Sequence, residues 1–183
     1  MCSPLRLLDC SPISDGAAAL VLSRARAGPR DVRILSCEMA TDVIALSQRP
    51  DLTSSRVSRT AAKRAFDAAG IGRDDVDLAQ VHDCFTINEL ISLESMGFCE
   101  PGAAPQLDTS LGGPLPVNTD GGLKADGHPI GASGIAQVTE LVLQLRQEAG
   151  ARQVRDARIG LAHNIGGSGG SAVVSILKGG PDV

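Results

Sequence analysis

Between Gly121 and Gly134, five glycines fall within fourteen residues, His128 and Pro129 sit among them, and the stretch runs directly into a helical pattern. Glycine has no Cβ, so such a loop can take positive φ angles and let a bulky ligand lie against its backbone. His128, held by the proline that follows it, is the only group in the loop able to move a proton near neutral pH. The same residues also fit a plain glycine-rich turn whose histidine faces solvent. Two further stretches, 82–85 and 163–170, bear on that choice.

Aromatic residues are almost missing: Phe66, Phe85 and Phe98 stand alone, with no Tyr and no Trp in 183 residues. A core must then be built from Ala, Val, Leu and Ile, which suits buried parallel strands covered by alanine-rich helices. The length allows one well-cored domain, or one domain plus a fragment of another. A net charge of −4 and the lack of stacking aromatics argue against nucleic acid as a partner. No apolar run approaches the roughly 18 residues of a membrane span, and no signal-peptide pattern is seen. Cys2, Cys10, Cys37, Cys84 and Cys99 are odd in number and form no C-x-x-C pair. They read as reduced thiols, so a cytoplasmic protein is expected.

Along the chain, Ala17–Ser23 is an apolar run of strand length after the Asp15-Gly16 turn signal. The stretch 27–31 punctuates the chain, and a second strand is predicted over 32–36. Residues 42–58 read as a surface excursion. From Val57 the period turns helical, with Val57, Ala61, Ala65, Phe66 and Ala69 on one face and Gly70 as the stop. Asp77–Val81 is a buried-strand candidate that delivers His82 to Phe85 at its carboxyl end. A helix opening at Thr86 carries Ile87, Leu90, Ile91 and Glu94 in register and stops at Gly97. Four prolines make 99–118 a loop. The helix after the glycine-rich loop carries Ile135, Val138, Leu141, Val142 and Leu145 and is expected to end at Gly150. The chain closes as strand 159–162, a turn over 163–170 and strand 172–177. That order predicts an α/β fold, a layered parallel or mixed sheet with helices on both faces.

His82 and Cys84 stand where a strand gives way to a loop, the place where open α/β sheets put ligand sites. A cysteine near a histidine can be activated, since a neighbouring cation favours the thiolate. The alternative is a buried, inert cysteine beside a hydrogen-bonded histidine. A zinc site from His82, Cys84, His128 and His163 matches no known ligand spacing and is set aside, so no metal is expected. Gly166-Gly167-Ser168-Gly169-Gly170 fits the letters of a nucleophile elbow, yet a strand follows it instead of a helix, so Ser168 is rejected as a nucleophile. A hairpin closed by glycines leaves backbone N–H groups that suit an oxyanion.

Taken together, His82-Asp83-Cys84-Phe85, Gly127-His128-Pro129-Ile130-Gly131-Ala132-Ser133-Gly134 and His163-Asn164-Ile165-Gly166 resemble the C-terminal half of the thiolase superfamily. The branch most similar is the sterol-carrier-protein-type (lipid-transfer) thiolases, and the stretch 12–20 resembles the end of that family's N-terminal domain. The resemblance implies a division at 29/30, with 1–29 a remnant (the last strand) of the N-terminal domain and 30–183 the C-terminal domain. It implies acyl transfer on coenzyme A thioesters with no bound cofactor, in a homo-oligomer or in a complex with a chain bearing the N-terminal half. By the same resemblance, His128 activates a nucleophilic cysteine, His82 completes the first oxyanion hole and Gly166 gives an N–H to the second. Cys84 takes the acid/base role, a task suited to a thiol titrating near neutrality. Phe85, Gly127, Pro129, Gly131, Ser133 and Asn164 line the substrate. The family's nucleophilic cysteine belongs to its N-terminal half; neither Cys2 nor Cys10 has its context. The expectation is therefore a half-site that works only when completed. Two other readings remain: a non-catalytic relative binding acyl-CoA, lipid or a partner subunit, and a retro-aldolase of steroid side-chain breakdown, which would bring tyrosines that this chain lacks.

Overall fold

The structure is a computed structural model that describes residues 3–24, 28 and 30–180. In chain order its elements are β1 (Arg33–Thr41), α1 (Arg56–Ala69), β2 (Leu78–Val81), α2 (Thr86–Met96), α3 (Gly122–Asp126), α4 (Ser133–Leu145), β3 (Ile159–Gly166) and β4 (Ser171–Lys178). The four strands form one sheet in the order β1-β4-β3-β2. β2 lies parallel to β3, while β3–β4 and β4–β1 are antiparallel. The expected mixed sheet is present.

Alternation along the strands sends two sets of side chains to opposite faces. Ala79, Val81, Leu161, Ile165, Val174 and Ile176 pack against α1 and α2. Leu78, Ala162 and Leu177 face the other way, against Leu141 and Leu145 of α4. Helices therefore cover both faces, as the composition implied. α1 shows why alanine matters here. Ala61, Ala62 and Ala65 are fully buried, which lets the helix lie close on the strands, with Phe66 filling the remaining gap. Burying such a phenylalanine contributes roughly 2–3 kcal/mol. The Ser55 hydroxyl accepts from the Ser58 N–H at the start of α1. Gly70, at φ 68°, stops the helix, and its N–H reaches the Phe66 carbonyl at 2.9 Å.

Several expectations need correction. Ala17–Ser23 forms no strand: no described strand pairs with it, and Val21 and Leu22 lie exposed. Apolar composition alone could not supply the neighbouring edge that a strand requires. The punctuation at 27–31 and the proposed boundary at 29/30 fall partly on residues outside the described ones. β1 runs on to Thr41 because β4 offers it a ladder along its whole length. In α2 the predicted stripe is not the buried one. Ile87 is exposed, and Ser92, Leu93, Ser95 and Met96 turn inward instead. α4 ends at Leu145 instead of Gly150, and Ile135 stays partly exposed while Gln137, Glu140 and Gln144 are buried. Those polar groups are satisfied by a local network. Arg152 grips Glu140 through two bonds of 2.9 Å, and Gln144 bonds the Arg152 carbonyl and the Val154 N–H. β3 does not turn at His163. It continues to Gly166, because each of these residues finds a partner on β4, and the turn is confined to 167–170. The glycine-rich stretch also contains a short helix, α3, which was not expected.

Candidate active site

β2 ends at Val81, and the Asn118 side chain fixes that end by accepting from the Val81 N–H (2.8 Å) and donating to its carbonyl (3.1 Å). The next residue, His82, is 4% exposed. Asn88 of α2 donates to the His82 carbonyl at 2.6 Å, tying the strand end to the helix that follows. Asp83 is buried and accepts from the Leu123 N–H at 2.8 Å, so the 82–85 loop is clamped to the first turn of α3. Gly122 is required there: its φ is +65°, and a Cβ would run into the Asp83 carboxylate. Burial pushes the Asp83 carboxyl above its ordinary range. No role for Asp83 was legible in the sequence; its signal is a buried carboxylate facing a glycine-opened helix start, which only the folded chain brings together.

The glycine-rich loop swings back so that His128 meets His82 edge to face, with ring centroids 4.8 Å apart and planes at 83°. His128 Nδ1 lies 2.8 Å from the Ser133 hydroxyl, which donates its own proton to the Pro129 carbonyl at 3.1 Å. A hydroxyl has one proton to give. With that proton directed at a carbonyl, Ser133 accepts from His128 Nδ1–H, and His128 Nε2 is left bare. Pro129 does more than hold the ring, since its carbonyl also accepts the N–H groups of Ala132 (2.8 Å) and Ser133 (3.0 Å) at the head of α4. His82 is pushed down to about 4 by burial, and secondarily by the nearby His128, so it is neutral at physiological pH.

Asn164, on β3, lies 3.1 Å from His82 Nδ1 and donates to Gln137 Oε1 of α4 at 2.9 Å. Gly166 closes β3 opposite Ser171, and its carbonyl accepts from the N–H groups of Gly169 and Gly170. Phe85 is half exposed beside the loop, and Gly131 has open space where a Cβ would be. Gly127, at φ +87°, is buried beneath the Ser14 hydroxyl, so close that no side chain fits. His163 goes elsewhere. Its ring is fully buried on the α1 face, with Nε2 2.9 Å from the Ser58 hydroxyl. The four-residue combination His82, Cys84, His128 and His163 is thus not assembled at one point, and among the described residues no cluster of His, Cys, Asp or Glu is placed to hold a metal.

Cys84 is half buried, and burial together with the Asp83 carboxylate pushes its thiol up from the ordinary value. That shift works against the near-neutral thiol expected from the sequence. Part of the cover comes from the N-terminal segment, another feature the sequence reading missed. The Ser11 N–H donates to the Cys84 carbonyl at 2.8 Å, and Cys10 forms an antiparallel bridge with Phe85. The Pro12 carbonyl accepts from the His128 N–H at 3.3 Å. Residues 9–14 therefore strap both site loops together.

The site is thus a pair of apposed histidines, one at the carboxyl end of β2 and one in the middle of the glycine-rich loop, flanked by a thiol and an amide. Comparison with known proteins agrees with the motifs. Residues 39–179 match the family described as "Thiolase C-terminal domain-like". The chain is 49% identical to an acetyl-CoA acetyltransferase of Methanothermobacter thermautotrophicus over 96% of its own length and 48% of that protein. It is 40% identical to sterol carrier protein 2 of Bos taurus, over 95% of its length and 34% of that protein. Among solved structures, a chain titled "Ltp2-ChsH2(DUF35) aldolase" superposes with a TM-score of 0.77 at 22% identity, over 100% of this chain and 49% of that one, a likeness of fold. The chain spans about half, or less, of the length of these relatives. With a family match covering most of its residues, the chain belongs to the thiolase C-terminal domain-like family.

Proposed function

We propose that these residues form the C-terminal half of a thiolase-type acyltransferase site, acting on coenzyme A thioesters in a cytoplasmic, reducing setting. The observation that carries the reading is the edge-to-face contact of His82 and His128 at 4.8 Å, with a bare Nε2 on His128. That nitrogen is free to take the proton of a nucleophilic thiol supplied by the N-terminal half of the fold. The thiolate attacks the acyl carbonyl, the carbonyl electrons move to oxygen, and the two imidazoles face the resulting oxyanion. Collapse breaks the carbon–sulfur bond to coenzyme A, which leaves as a thiol after taking the His128 proton. In the second half-reaction Cys84, as thiolate, takes an α-proton from a second acyl-CoA. The carbanion then attacks the enzyme-bound acyl group and displaces the first cysteine. Gly166 supplies a backbone N–H to the second oxyanion, while Phe85, Gly127, Pro129, Gly131 and Ser133 line the acyl-CoA path.

An uncovered apolar surface supports a partner half. The segment 19–24, Ile34, Val138, Val142 and Leu177 border a cleft of about 670 Å³ between α4 and the β1–β4 side of the sheet. Large apolar patches of this kind mark interaction surfaces. The raised thiol of Cys84 favours a second reading, a non-catalytic relative that binds acyl-CoA or a partner subunit. One experiment separates the two. The chain is assembled with a polypeptide carrying the thiolase N-terminal half, and acetyl transfer between two acetyl-CoA molecules is followed. Activity that falls roughly 10²-fold or more in His128→Asn and in Cys84→Ala supports the enzyme. A well-formed complex without activity, or activity indifferent to both changes, leaves the binding reading.

A further inference from the structure

A one-way chain of hydrogen bonds runs from the sheet to His82, and its direction is set by a group that cannot reverse. The His163 backbone carbonyl can only accept, and it accepts from Gln137 Nε2 at 3.1 Å. That contact fixes which end of the Gln137 amide faces β3, so Oε1 points at Asn164. Gln137 Oε1 also only accepts, and it takes a hydrogen of Asn164 Nδ2 at 2.9 Å. The same Nδ2 lies 3.1 Å from His82 Nδ1. Turning either amide over would set two acceptors against each other at one of these joints. With both amides fixed, Asn164 donates to His82 Nδ1, and the ring proton must sit on Nε2.

We infer that Gln137 is a positioning residue which, through Asn164, holds His82 as the Nε2–H tautomer and so presets it as a hydrogen-bond donor. Its partner histidine is preset the opposite way by the same logic, since the Pro129 carbonyl leaves His128 with Nδ1–H and a bare Nε2. The two apposed rings are thus one fixed donor and one fixed base. Gln137 is 4% exposed on the sheet-facing side of α4, so neither water nor a neighbouring side chain substitutes for it readily. The inference deepens the acyltransfer reading, where a preset donor aimed at a developing oxyanion requires no reorganisation during reaction. It also gives Asn164 a different task from the substrate contact the sequence suggested, because both its amide hydrogens are committed.

The test uses the chain itself, without partner half or substrate, and its outcome is independent of whether acyl transfer is found. Only three histidines are present. Ring-¹⁵N histidine labelling therefore gives three imidazoles, assigned by single replacement, whose nitrogen shifts report protonation and tautomer. In the native chain His82 is expected to show a pyrrole-type Nε2 and a pyridine-type Nδ1. A pyrrole-type Nδ1 at His82 would overturn the proposal without any variant. In Gln137→Leu the Asn164 amide is freed, and the two His82 nitrogens are expected to shift toward one another as a tautomer mixture. Asn164→Asp, nearly isosteric, places an acceptor at Nδ1 and is expected to convert His82 to the Nδ1–H form. An unchanged His82 spectrum in Asn164→Asp, or in a Gln137→Leu chain whose amide spectrum shows it folded, would sink the idea.

Discussion

His82 follows the last residue of β2 and His163 lies within the neighbouring parallel strand β3, and both are buried, yet they are used in opposite ways. Burial pushes His82 down to about 4 and His163 to about 3, so both are neutral in the cell. His82 faces the α4 side, where one nitrogen is held by Asn164 and its ring stands nearly perpendicular to that of His128. His163 faces α1, where Nε2 meets Ser58 and Nδ1 has no partner among the described residues. A depressed pKa alone does not separate a site histidine from a packing one. What separates them is whether the ring lies against a second histidine, with its proton placed by fixed neighbours. The largest expected effect follows directly. If the proposed acyl transfer is found once the chain is assembled with a thiolase N-terminal half, His82→Ala should lower its rate roughly 10²-fold or more, the loss expected for an oxyanion donor. His163→Leu should leave the rate within a few-fold of the native value. Comparable losses from both, measured as kcat on folded protein, would break the distinction.

The next effect treats the two histidines alike. Each has a folded-state pKa below the unfolded value of 6.5, so the unfolded chain binds the proton first. Their contribution to stability is complete above about pH 6.5 and is lost as pH falls, through about 4 for His82 and about 3 for His163. The slope from one such group approaches about 1.4 kcal/mol per pH unit within that window. Asp42 and Asp51, lowered to about 2 by their hydrogen-bond partners, act in a more acidic window, losing their contribution as pH falls toward about 2. Urea unfolding between pH 7 and pH 4 should therefore show falling stability, and His82→Gln or His163→Leu should each flatten the slope. A slope unchanged in both variants would mean that neither ring is held neutral by burial.

Features written in local pattern were legible before folding. The alanine face of α1 and its Gly70 stop, the short β2, and the delivery of His82 to a strand end all depend on residues adjacent in sequence. The three motifs that placed the family, at 82–85, 127–134 and 163–166, were equally local. Features that depend on a distant partner were not legible. Ala17–Ser23 has strand composition but no edge to join, while His163 to Gly166 looks like a turn yet is held as strand by β4. Gln137 reads as one more polar residue of an amphipathic helix. Its meaning comes from a β3 carbonyl 26 positions away in sequence. The strap of Ser11 and Pro12 across both site loops is likewise invisible without the fold.

The smallest expected effect is the most searching for the comparison, because it asks whether His163 contributes anything as a polar group. Its Nδ1 is buried without a partner, which costs about 1–3 kcal/mol relative to a satisfied group. Its Nε2 bond to Ser58 returns about 0.5–1.5 kcal/mol. Ser58 does not depend on it, since its hydroxyl also bonds Ser55 at 2.7 Å. His163→Leu at pH 7.5 therefore removes an unsatisfied nitrogen and one replaceable bond, while keeping an apolar side chain against α1. The net change in unfolding free energy should lie within about 1 kcal/mol of zero. A loss of several kcal/mol in urea denaturation would show that Nδ1 has a partner, an ordered water being the first candidate. His163 would then belong, like His82, to a wired polar network, and the contrast between the two rings would narrow to the direction in which each one points.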